Sequence, residues 1–329
     1  MGSLAGIVGY RGYSGAELVR ILQRHSLITP VLLEHRDASS PAAHLRSVPC
    51  TPEAVRGEGI SIVFLATPPD VSMELAPALL RAGTRVIDLS GAFRLRTPAA
   101  YTRWYKEPHT QPDLLAEAAY GLPEFCRERI PAARLVANPG CYPTAANLAI
   151  RPLLEAGAVD RDAGIVCDAK SGVSGSGRKP SLKTSFCEVT ENFSAYSVLH
   201  HRHVPEVLMM SGLEEREFSF TAQLLPVDRG ILETIYFRTK RATSAEELLA
   251  IYARRYTGET FIRLHAAGQA PDLHAVARTN YCDIGVTVDT DTRRAVVVSA
   301  IDNLVKGAAG QAVQNMNLLL GYPESEGLL

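Results

Sequence analysis

The sequence reads LAGIVGYRGYSGAELVRIL over residues 4–22. Residues 4–8 predict a short apolar strand, and the apolar residues at 18, 19, 21 and 22 predict a helix that follows at once. The turn between them holds three glycines, which in this context let backbone N–H groups approach a pyrophosphate at the positive end of a helix. The spacing is GxxGxxG and not GxGxxG, so a tight turn without a ligand is the alternative. If a dinucleotide binds, the expected contacts are Gly9, Arg11, Gly12, Tyr13, Ser14 and Gly15.

The first half of the chain continues this alternation of strands and helices. Further strands are predicted at 31–33, 60–66, 85–89 and 134–137, and a helix over 71–82 that ends at Gly83. Strands that alternate with helices imply right-handed crossovers and a parallel sheet, so an α/β domain is expected here. Residues 39–58, which are rich in Pro and Ala, are predicted to form a surface loop.

The pattern changes after Cys141. Strands are predicted at 164–169, 218–225, 231–238, 281–288 and 294–301, with longer loops between them. This spacing favours an α+β domain with a mixed or antiparallel sheet and helices on one face. A last helix over about 303–320, rich in Ala and Gln, ends at Gly321.

Length and composition restrict the class of protein. At 329 residues the chain is about twice the usual length of one domain, so two domains are expected. The 34 Lys and Arg nearly balance the 35 Asp and Glu, which argues against a nucleic-acid partner. The six cysteines form no CxxC pair, and no apolar run of about 18 residues predicts a membrane helix. Because no signal peptide is recognisable, a cytoplasmic protein with reduced thiols is expected.

The second strand ends with Glu34-His35-Arg36, a tripeptide that bears on cofactor choice. An acidic residue at this position favours the 2′-hydroxyl of NAD, whereas an arginine favours the 2′-phosphate of NADP. Taken alone, the tripeptide leaves both cofactors open.

Cys141 lies in Asn138-Pro139-Gly140-Cys141-Tyr142-Pro143-Thr144, after a strand and before an apolar helical run. A thiol at a helix N-terminus gains thiolate character and can act as a nucleophile. The alternative is that Cys141 is a buried small apolar residue, as most isolated cysteines are. If a nicotinamide binds beside it, such a thiolate suggests that formation of an acyl-enzyme is coupled to hydride transfer.

The segment His200-His201-Arg202-His203-Val204-Pro205-Glu206 contains the histidine cluster of the chain. A base that titrates near neutral pH is what a cysteine nucleophile and a tetrahedral intermediate both need. Metal binding is the alternative, but no second His/Cys pair supports it. The spacing of two would put His201 and His203 on one side of an extended strand, so the sequence does not choose between them.

Two loops that follow predicted strands combine small residues with an arginine: Ser90-Gly91-Ala92-Phe93-Arg94 and 171–178, SGVSGSGR. Backbone N–H groups and a guanidinium in such loops suit a phosphate or a carboxylate. Each loop could equally be a flexible turn or carry a surface ion pair.

From residues 138–145, NPGCYPTA, the chain resembles the N-acetyl-gamma-glutamyl-phosphate reductase family. Segments at 12–18, 88–95, 120–124, 171–178, 201–206, 229–231 and 300–312 also match the family's pattern, in order along nearly the whole chain. The departure is at Gly9 and Arg11, where family members often show Gly-Ala-Ser.

The resemblance implies a fold similar to aspartate-semialdehyde and glyceraldehyde-phosphate dehydrogenases. An NADP-binding Rossmann domain at 1–140 would be completed by the C-terminal helix at 302–329, and a catalytic and oligomerisation domain would occupy 141–301. The resemblance also implies NADP as cofactor, with Arg36 at its 2′-phosphate. The other implied cofactor contacts are Ser174, Gly175 and Gln311, the last at the nicotinamide carboxamide. A homo-oligomer, either dimer or tetramer, is expected.

The implied activity is NADPH-dependent reduction of N-acetyl-L-glutamyl 5-phosphate to N-acetyl-L-glutamate 5-semialdehyde, through a thioester on Cys141, in arginine biosynthesis. Either His201 or His203 is the acid/base; His203 is preferred, with His201 orienting the substrate. Expected substrate contacts are Ser90, Arg94, Asn138 and Arg178. The alternatives are a lysine-pathway reductase of aminoadipyl phosphate, against which the Tyr142-Pro143 that follows Cys141 argues, and a non-catalytic NADP-binding regulator.

Overall fold

The computed structural model describes residues 2–35 and 45–329. The strands are β1 (Ser3–Val8), β2 (Ile28–Glu34), β3 (Ser47–Pro49), β4 (Ile60–Leu65), β5 (Arg85–Asp88), β6 (Ala119–Tyr120), β7 (Leu135–Ala137), β8 (Val159–Asp160), β9 (Ile165–Gly172), β10 (Ser194–Tyr196), β11 (Phe218–Leu225), β12 (Ile231–Thr239), β13 (Ile262–Leu264), β14 (Cys282–Asp289) and β15 (Arg294–Ile301). The α-helices are α1 (Tyr13–Leu22), α2 (Pro52–Gly57), α3 (Pro69–Arg81), α4 (Pro98–Tyr105), α5 (Pro112–Glu117), α6 (Pro123–Cys126), α7 (Cys141–Glu155), α8 (Phe186–Val189), α9 (Val204–Ser211), α10 (Ala245–Arg255), α11 (Leu273–Val276) and α12 (Gly310–Leu320).

The chain divides into two compact units. Unit 1 comprises Met1–Gly140 and Ala308–Leu329, and unit 2 comprises Cys141–Gly307. The chain was expected to re-enter the first domain at residue 302. In the structure, unit 2 ends at Gly307 and unit 1 resumes at Ala308.

Unit 1 is built on a seven-stranded sheet in the order β3-β2-β1-β4-β5-β7-β6, and all its strand pairs are parallel. The central strands are almost continuously apolar because both faces of the sheet are covered. Val8 and Leu65 lie in the apolar core formed with Leu75 and Leu79 of α3. Phe64, one residue before Leu65, faces the other side and is fully buried as well. The predicted Rossmann fold is confirmed.

Unit 2 contains a mixed sheet in the order β10-β11-β9-β12-β15-β14-β13, with β8 paired to β12. The pairs β9–β11 and β13–β14 are parallel, and the others are antiparallel. This confirms the predicted mixed sheet.

The two faces of this sheet differ. Helix α7 packs against β12 and β15, and α10 packs against β14. On the opposite face, which we call the open face, Val166 of β9 and Tyr236 of β12 are directly paired and are 45% and 46% exposed. Asp168 and Lys170 lie on the open face beside them, because alternate residues of a strand share a side.

Two local predictions were wrong. Residues 39–58 do not form one loop, because β3 and α2 lie within its described part; Thr51 caps α2 by accepting from Ala54 N–H at 3.2 Å. The last helix is not regular from residue 303, because a π-helical turn over Val305–Ala309 precedes α12.

In the described part of the chain, no helix is long and apolar enough to cross a bilayer.

Candidate active site

The glycine turn of unit 1 is closed by its own backbone. Gly12 N–H donates to the Gly9 carbonyl at 3.0 Å, and α1 begins at the next residue, Tyr13. Gly9 has φ of +77°, in the left-handed region that favours glycine. A Cβ on Gly15 would overlap the Gly9 carbonyl, so a side chain there would push α1 away from β1. The turn therefore directs the first N–H groups of α1 outward, where they can meet an anion.

A cavity of about 420 Å³ lies beside this turn; it is lined by Val8, Gly9, Tyr10, Arg11, Leu33, Glu34, His35, Thr67, Pro68, Asp70 and Val71. Tyr10 and Ser47 both donate to one carboxylate oxygen of Glu34, at 2.5 and 3.0 Å. Arg11 donates to the Tyr10 oxygen through Nε and Nη2, at 3.1 and 3.0 Å. Two hydroxyls thus engage Glu34, and Arg11 brings a cation close to it. Arg36, expected at a 2′-phosphate, lies outside the described residues.

The segment after β5 is a buried polar network. Asp88 is fully buried and accepts from the Ser90 N–H at 3.1 Å and from its hydroxyl at 2.8 Å. Burial raises the pKa of the Asp88 carboxyl, while the hydrogen bonds from its serine neighbours and the nearby Arg94 oppose that rise. Arg94 donates to the carbonyls of Asn138 and Leu89, at 2.8 and 2.9 Å. Ser90 and Arg94 therefore hold the loops at this end of the sheet, and their contact with substrate stays a prediction.

Asn138 and Gln311 are buried where α12 packs within unit 1. Asn138 donates to the Ala308 carbonyl at 3.0 Å and accepts from Asn315 at 3.1 Å, so its amide is engaged at both ends. Gln311 donates to Gln314 at 3.4 Å, and its Oε1 has no hydrogen-bond partner among the described residues. A buried amide oxygen of this kind fits the N–H donors of a nicotinamide carboxamide.

Cys141 is the first residue of α7, a helix of 15 residues, and it is partly exposed. The positive end of such a helix stabilises an anion in its first turn. Hydroxyl groups hold the helix in place: Ser299 donates to the Ala145 carbonyl at 3.3 Å, and Tyr256 donates to the Leu148 carbonyl at 2.5 Å. The sequence predicted this strand–turn–helix setting, and the structure has β7 ending at Ala137 before α7 begins.

A second cavity, of about 280 Å³ and within unit 2, brings Cys141 together with both predicted histidines. It is lined by Cys141, Tyr142, Ser171, Gly172, Gly175, Ser176, Tyr196, Ser197, His200, His201, Arg202, His203 and Leu224. We call it the Cys141 cavity. It places the Cys141 thiol, three histidines and Arg202 around one space.

His201 and His203 are each 7% exposed, and their ring centroids are 4.8 Å apart. The segment is not the extended strand that the spacing predicted; it is a turn in which His203 has helical dihedral angles and precedes α9. The backbone N–H of His203 donates to Nδ1 of His201 at 3.2 Å, which puts the proton of a neutral His201 on Nε2. Burial, and secondarily the charge of Arg202, lowers the pKa of His201 to about 4. His201 is therefore a neutral imidazole near pH 7.

An aromatic wall that the sequence did not reveal surrounds these histidines. Tyr142 and Tyr196 share a hydrogen bond at 3.0 Å between their hydroxyls, and both rings meet His201 edge to face. Burial raises the pKa of both phenols, so they stay protonated donors. Tyr142 directly follows Cys141 in the sequence, but no local signal marks Tyr196 or Arg202.

The loop over residues 171–178 contributes differently along its length. Ser174 is buried, donates its hydroxyl to the Asp228 carbonyl at 2.6 Å, and accepts from Asn303 at 3.0 Å. Gly175 lines the Cys141 cavity, whereas Arg178 is exposed. The predicted roles of Ser174 and Gly175 with cofactor, and of Arg178 with substrate, stay predictions. Within residues 2–35 and 45–329, no group of three or more His, Cys, Asp or Glu side chains could hold a metal ion.

Comparison with known families matches both units. The semialdehyde dehydrogenase NAD binding domain matches residues 5–133, and the semialdehyde dehydrogenase dimerisation domain matches residues 141–303. An N-acetyl-gamma-glutamyl-phosphate reductase of Symbiobacterium thermophilum is 50% identical, over 98% of this chain and 97% of the relative. Those of Pelotomaculum thermopropionicum and Geobacter metallireducens are 47% and 46% identical, each over 98% of this chain and 96% of the relative.

Solved structures share the fold at low sequence identity. Aspartate semialdehyde dehydrogenase II from Vibrio cholerae, complexed with ASA, superposes with a TM-score of 0.74 at 18% identity, over 98% of this chain and 99% of that one. Aspartate semialdehyde dehydrogenase with NADP from Candida albicans gives 0.71 at 16% identity, over 97% and 99% of the two chains. These likenesses confirm the predicted fold, and the closer relatives confirm the family resemblance.

Proposed function

The chain belongs to the N-acetyl-gamma-glutamyl-phosphate reductase family, and we propose that it reduces N-acetyl-L-glutamyl 5-phosphate to N-acetyl-L-glutamate 5-semialdehyde with NADPH, in arginine biosynthesis. One observation carries the proposal: Cys141 begins α7 and shares a cavity with His201 and His203. A non-catalytic regulator would not need a thiol and two imidazoles in one space. The names of these relatives favour the arginine-pathway substrate over aminoadipyl phosphate.

The reaction divides into acylation and reduction. The Cys141 thiolate attacks the acyl carbon, the C–O bond to phosphate breaks, and a thioester and inorganic phosphate result. When NADPH is bound, it supplies a hydride. The thioester carbonyl accepts this hydride, and the resulting thiohemiacetal oxyanion collapses to the aldehyde as the C–S bond breaks. Cys141 thus returns to its thiolate form, and one proton is consumed overall on the departing phosphate.

We propose that the N–H of Cys141, in the first turn of α7, stabilises the oxyanion. We assign the proton transfer to His203, which protonates the thiohemiacetal oxyanion and takes that proton back as the C–S bond breaks. His201, whose neutral ring carries its proton on Nε2, orients the substrate.

The features of unit 1 fit a dinucleotide. The glycine turn cradles an anion at the start of α1, the 420 Å³ cavity beside it can take an adenosine, and Gln311 has a buried oxygen for the carboxamide. We propose that Gly9, Gly12, Tyr13, Ser14 and Gly15 hold the pyrophosphate. Arg36 and Arg11 would face the 2′-phosphate, because Glu34 is already bonded to two hydroxyls. This arrangement supports NADP over NAD.

Substrate charges need cationic partners. Arg202 lines the Cys141 cavity, and we propose that it binds the phosphate or the carboxylate of the substrate. Arg178 on the neighbouring loop is the second candidate, and Ser90, Arg94 and Asn138 complete the proposed substrate set.

The open face of unit 2 supports self-association. Val166 and Tyr236 expose apolar surface side by side, and the matched family domain over 141–303 is described as a dimerisation domain. We propose that two copies bury this face against each other in a homo-oligomer. A cytoplasmic location is also proposed, because the mechanism depends on a thiol that must stay reduced.

The test is Cys141→Ser. A serine hydroxyl lacks thiolate nucleophilicity, so phosphate-dependent oxidation of N-acetylglutamate semialdehyde, followed as NADPH absorbance, should be lost. Cofactor binding measured by fluorescence titration should be nearly unchanged. Cys187→Ser, which changes an exposed cysteine in α8, is the matched control and should keep activity. Wild-type turnover in Cys141→Ser would contradict the proposed function.

A further inference from the structure

The connection from β15 to α12 passes directly against the nucleophile. A Cβ placed on Gly307 would lie 2.8 Å from Cys141 Cβ and 3.3 Å from Cys141 Cα. Gly307 does not have a left-handed φ, so its own conformation does not require glycine. The close approach to Cys141 is therefore the reason that a side chain is excluded here.

A π-helical turn brings Gly307 to this position. Gly307 N–H donates to the carbonyl of Asp302, five residues earlier, at 2.9 Å, and the π-helix spans Val305–Ala309. Single π turns are uncommon in proteins as a whole, and those that occur often lie at functional sites. This turn widens the chain path at the point where it meets the first turn of α7.

The side chain of Asp302 builds that turn. It is fully buried, and its Oδ1 accepts from the N–H groups of Leu304 and Val305 at 2.8 and 3.0 Å. Its Oδ2 accepts from Arg278 N–H at 2.7 Å and lies 3.6 Å from Arg229 Nη1. A buried carboxylate with this many donors fixes the backbone that leads to Gly307.

Asn303, the residue after Asp302, links this segment to the loop over 171–178. Its Oδ1 accepts from Gly230 N–H at 2.7 Å, and its Nδ2 donates to Ser174 Oγ at 3.0 Å. Ser174 is next to Gly175, which lines the cavity. Residues 302–307 therefore contact both Cys141 and the loop that contributes Gly175 to the cavity.

We propose that Asp302 and Gly307 are positioning residues for the nucleophile: the π turn built on Asp302 seats Gly307 against Cys141 and fixes the thiol within its cavity. Neither residue touches the reacting atoms in this scheme. The proposal rests on the proposed role of Cys141. It predicts that one methyl group at position 307 displaces Cys141, because the clash is with atoms close to the α7 backbone and not with a flexible side-chain end.

The experiment compares Gly307→Ala with Gly57→Ala in the full-length protein. Gly57 ends α2 and has an ordinary φ, and no atom lies within 4 Å of the position that a Cβ would take there, so Gly57→Ala is a matched glycine control. The first measurement is the rate at which iodoacetamide alkylates Cys141 between pH 6 and 9 without cofactor, read by peptide mass spectrometry. The second is kcat. A small misplacement of a reacting group commonly costs about ten- to a hundredfold in rate. Gly307→Ala should show such a loss in kcat and a changed pH profile of alkylation, and Gly57→Ala neither.

Asp302→Asn and Asp302→Ala supply an independent test that introduces no clash at residue 307. Asn keeps an oxygen acceptor for the turn, so it should retain more of the Cys141 alkylation rate than Ala does. Unchanged alkylation and kcat in Gly307→Ala, or equal effects of the two Asp302 variants, would overturn the proposal. Those results differ from failure of the proposed function, which would show as full turnover in Cys141→Ser.

Discussion

Acidification should weaken the protein through His201. This imidazole is 7% exposed, packs against Tyr142, Tyr196 and Phe220, and accepts a backbone hydrogen bond on Nδ1. Burial first, and the charge of Arg202 second, lowers its pKa from 6.5 to about 4. In the unfolded chain the same ring is protonated at its ordinary pKa. The unfolded state therefore binds more protons below pH 6.5, and the stability that depends on neutral His201 is lost as the pH falls from 6.5 toward 4.

The magnitude follows from the two pKa values. A full shift of this size corresponds to about 3 kcal/mol of unfolding free energy, at about 1.4 kcal/mol for each pH unit. Between pH 7 and pH 5, rather more than half of this contribution is lost, which is about 2 kcal/mol. This loss is a substantial part of the unfolding free energy of a typical folded protein, which is roughly 5–15 kcal/mol.

The assay is urea unfolding at pH 7 and at pH 5, followed by circular dichroism and extrapolated to zero denaturant. His201→Asn removes the titrating group, so the free-energy difference between wild type and this variant should shrink by about 2 kcal/mol on going to pH 5. His200→Asn changes the exposed neighbour and is the matched control, measured at the same two pH values. If wild type and His201→Asn lose stability equally between pH 7 and 5, the reasoning is refuted.

Three further outcomes follow from the site and the surface. His203→Asn should lower kcat by about 10²–10⁴, whereas His201→Asn should mostly raise KM; the reverse pattern would exchange the two roles. Arg36→Ala should raise KM for NADPH by about ten- to a hundredfold and leave NADH little changed, and an unaltered cofactor preference would place the discrimination elsewhere. Tyr236→Glu combined with Val166→Glu should shift sedimentation toward monomer because the charges would be buried without partners, and an unchanged oligomer would exclude the open face as the interface.

Local signals account for the part of the fold and site that could be predicted. The strand, glycine turn and helix of residues 4–22 are determined by neighbours in sequence, and so is the position of Cys141 at the start of α7. The helix α2 was also within reach, because Thr51-Pro52 is a capping residue followed by proline at the first helical position. The Pro-rich composition around it concealed that signal.

Long-range contacts account for what could not be predicted. Tyr196 meets Tyr142 across a separation of 54 residues, and nothing near Tyr196 in sequence indicates that pairing. Gly307 lies far along the chain from Cys141, so their contact follows only from the path of the π turn. His201 and His203 were expected on an extended strand; the turn before α9 brings the rings together by a different backbone path.

Unit 1 is built from two pieces of chain that lie far apart in sequence. This arrangement sets the order in which the protein can fold during synthesis. Val313 and Met316 of α12 are fully buried, and α12 packs against α1. Until α12 has been synthesised, α1 keeps an uncovered apolar surface, although β1 to β7 are already available. The inserted unit, Cys141–Gly307, is continuous and is the first that can complete its own core. A nascent chain of this protein would therefore carry a finished catalytic unit while its nucleotide-binding sheet still awaits its final helix.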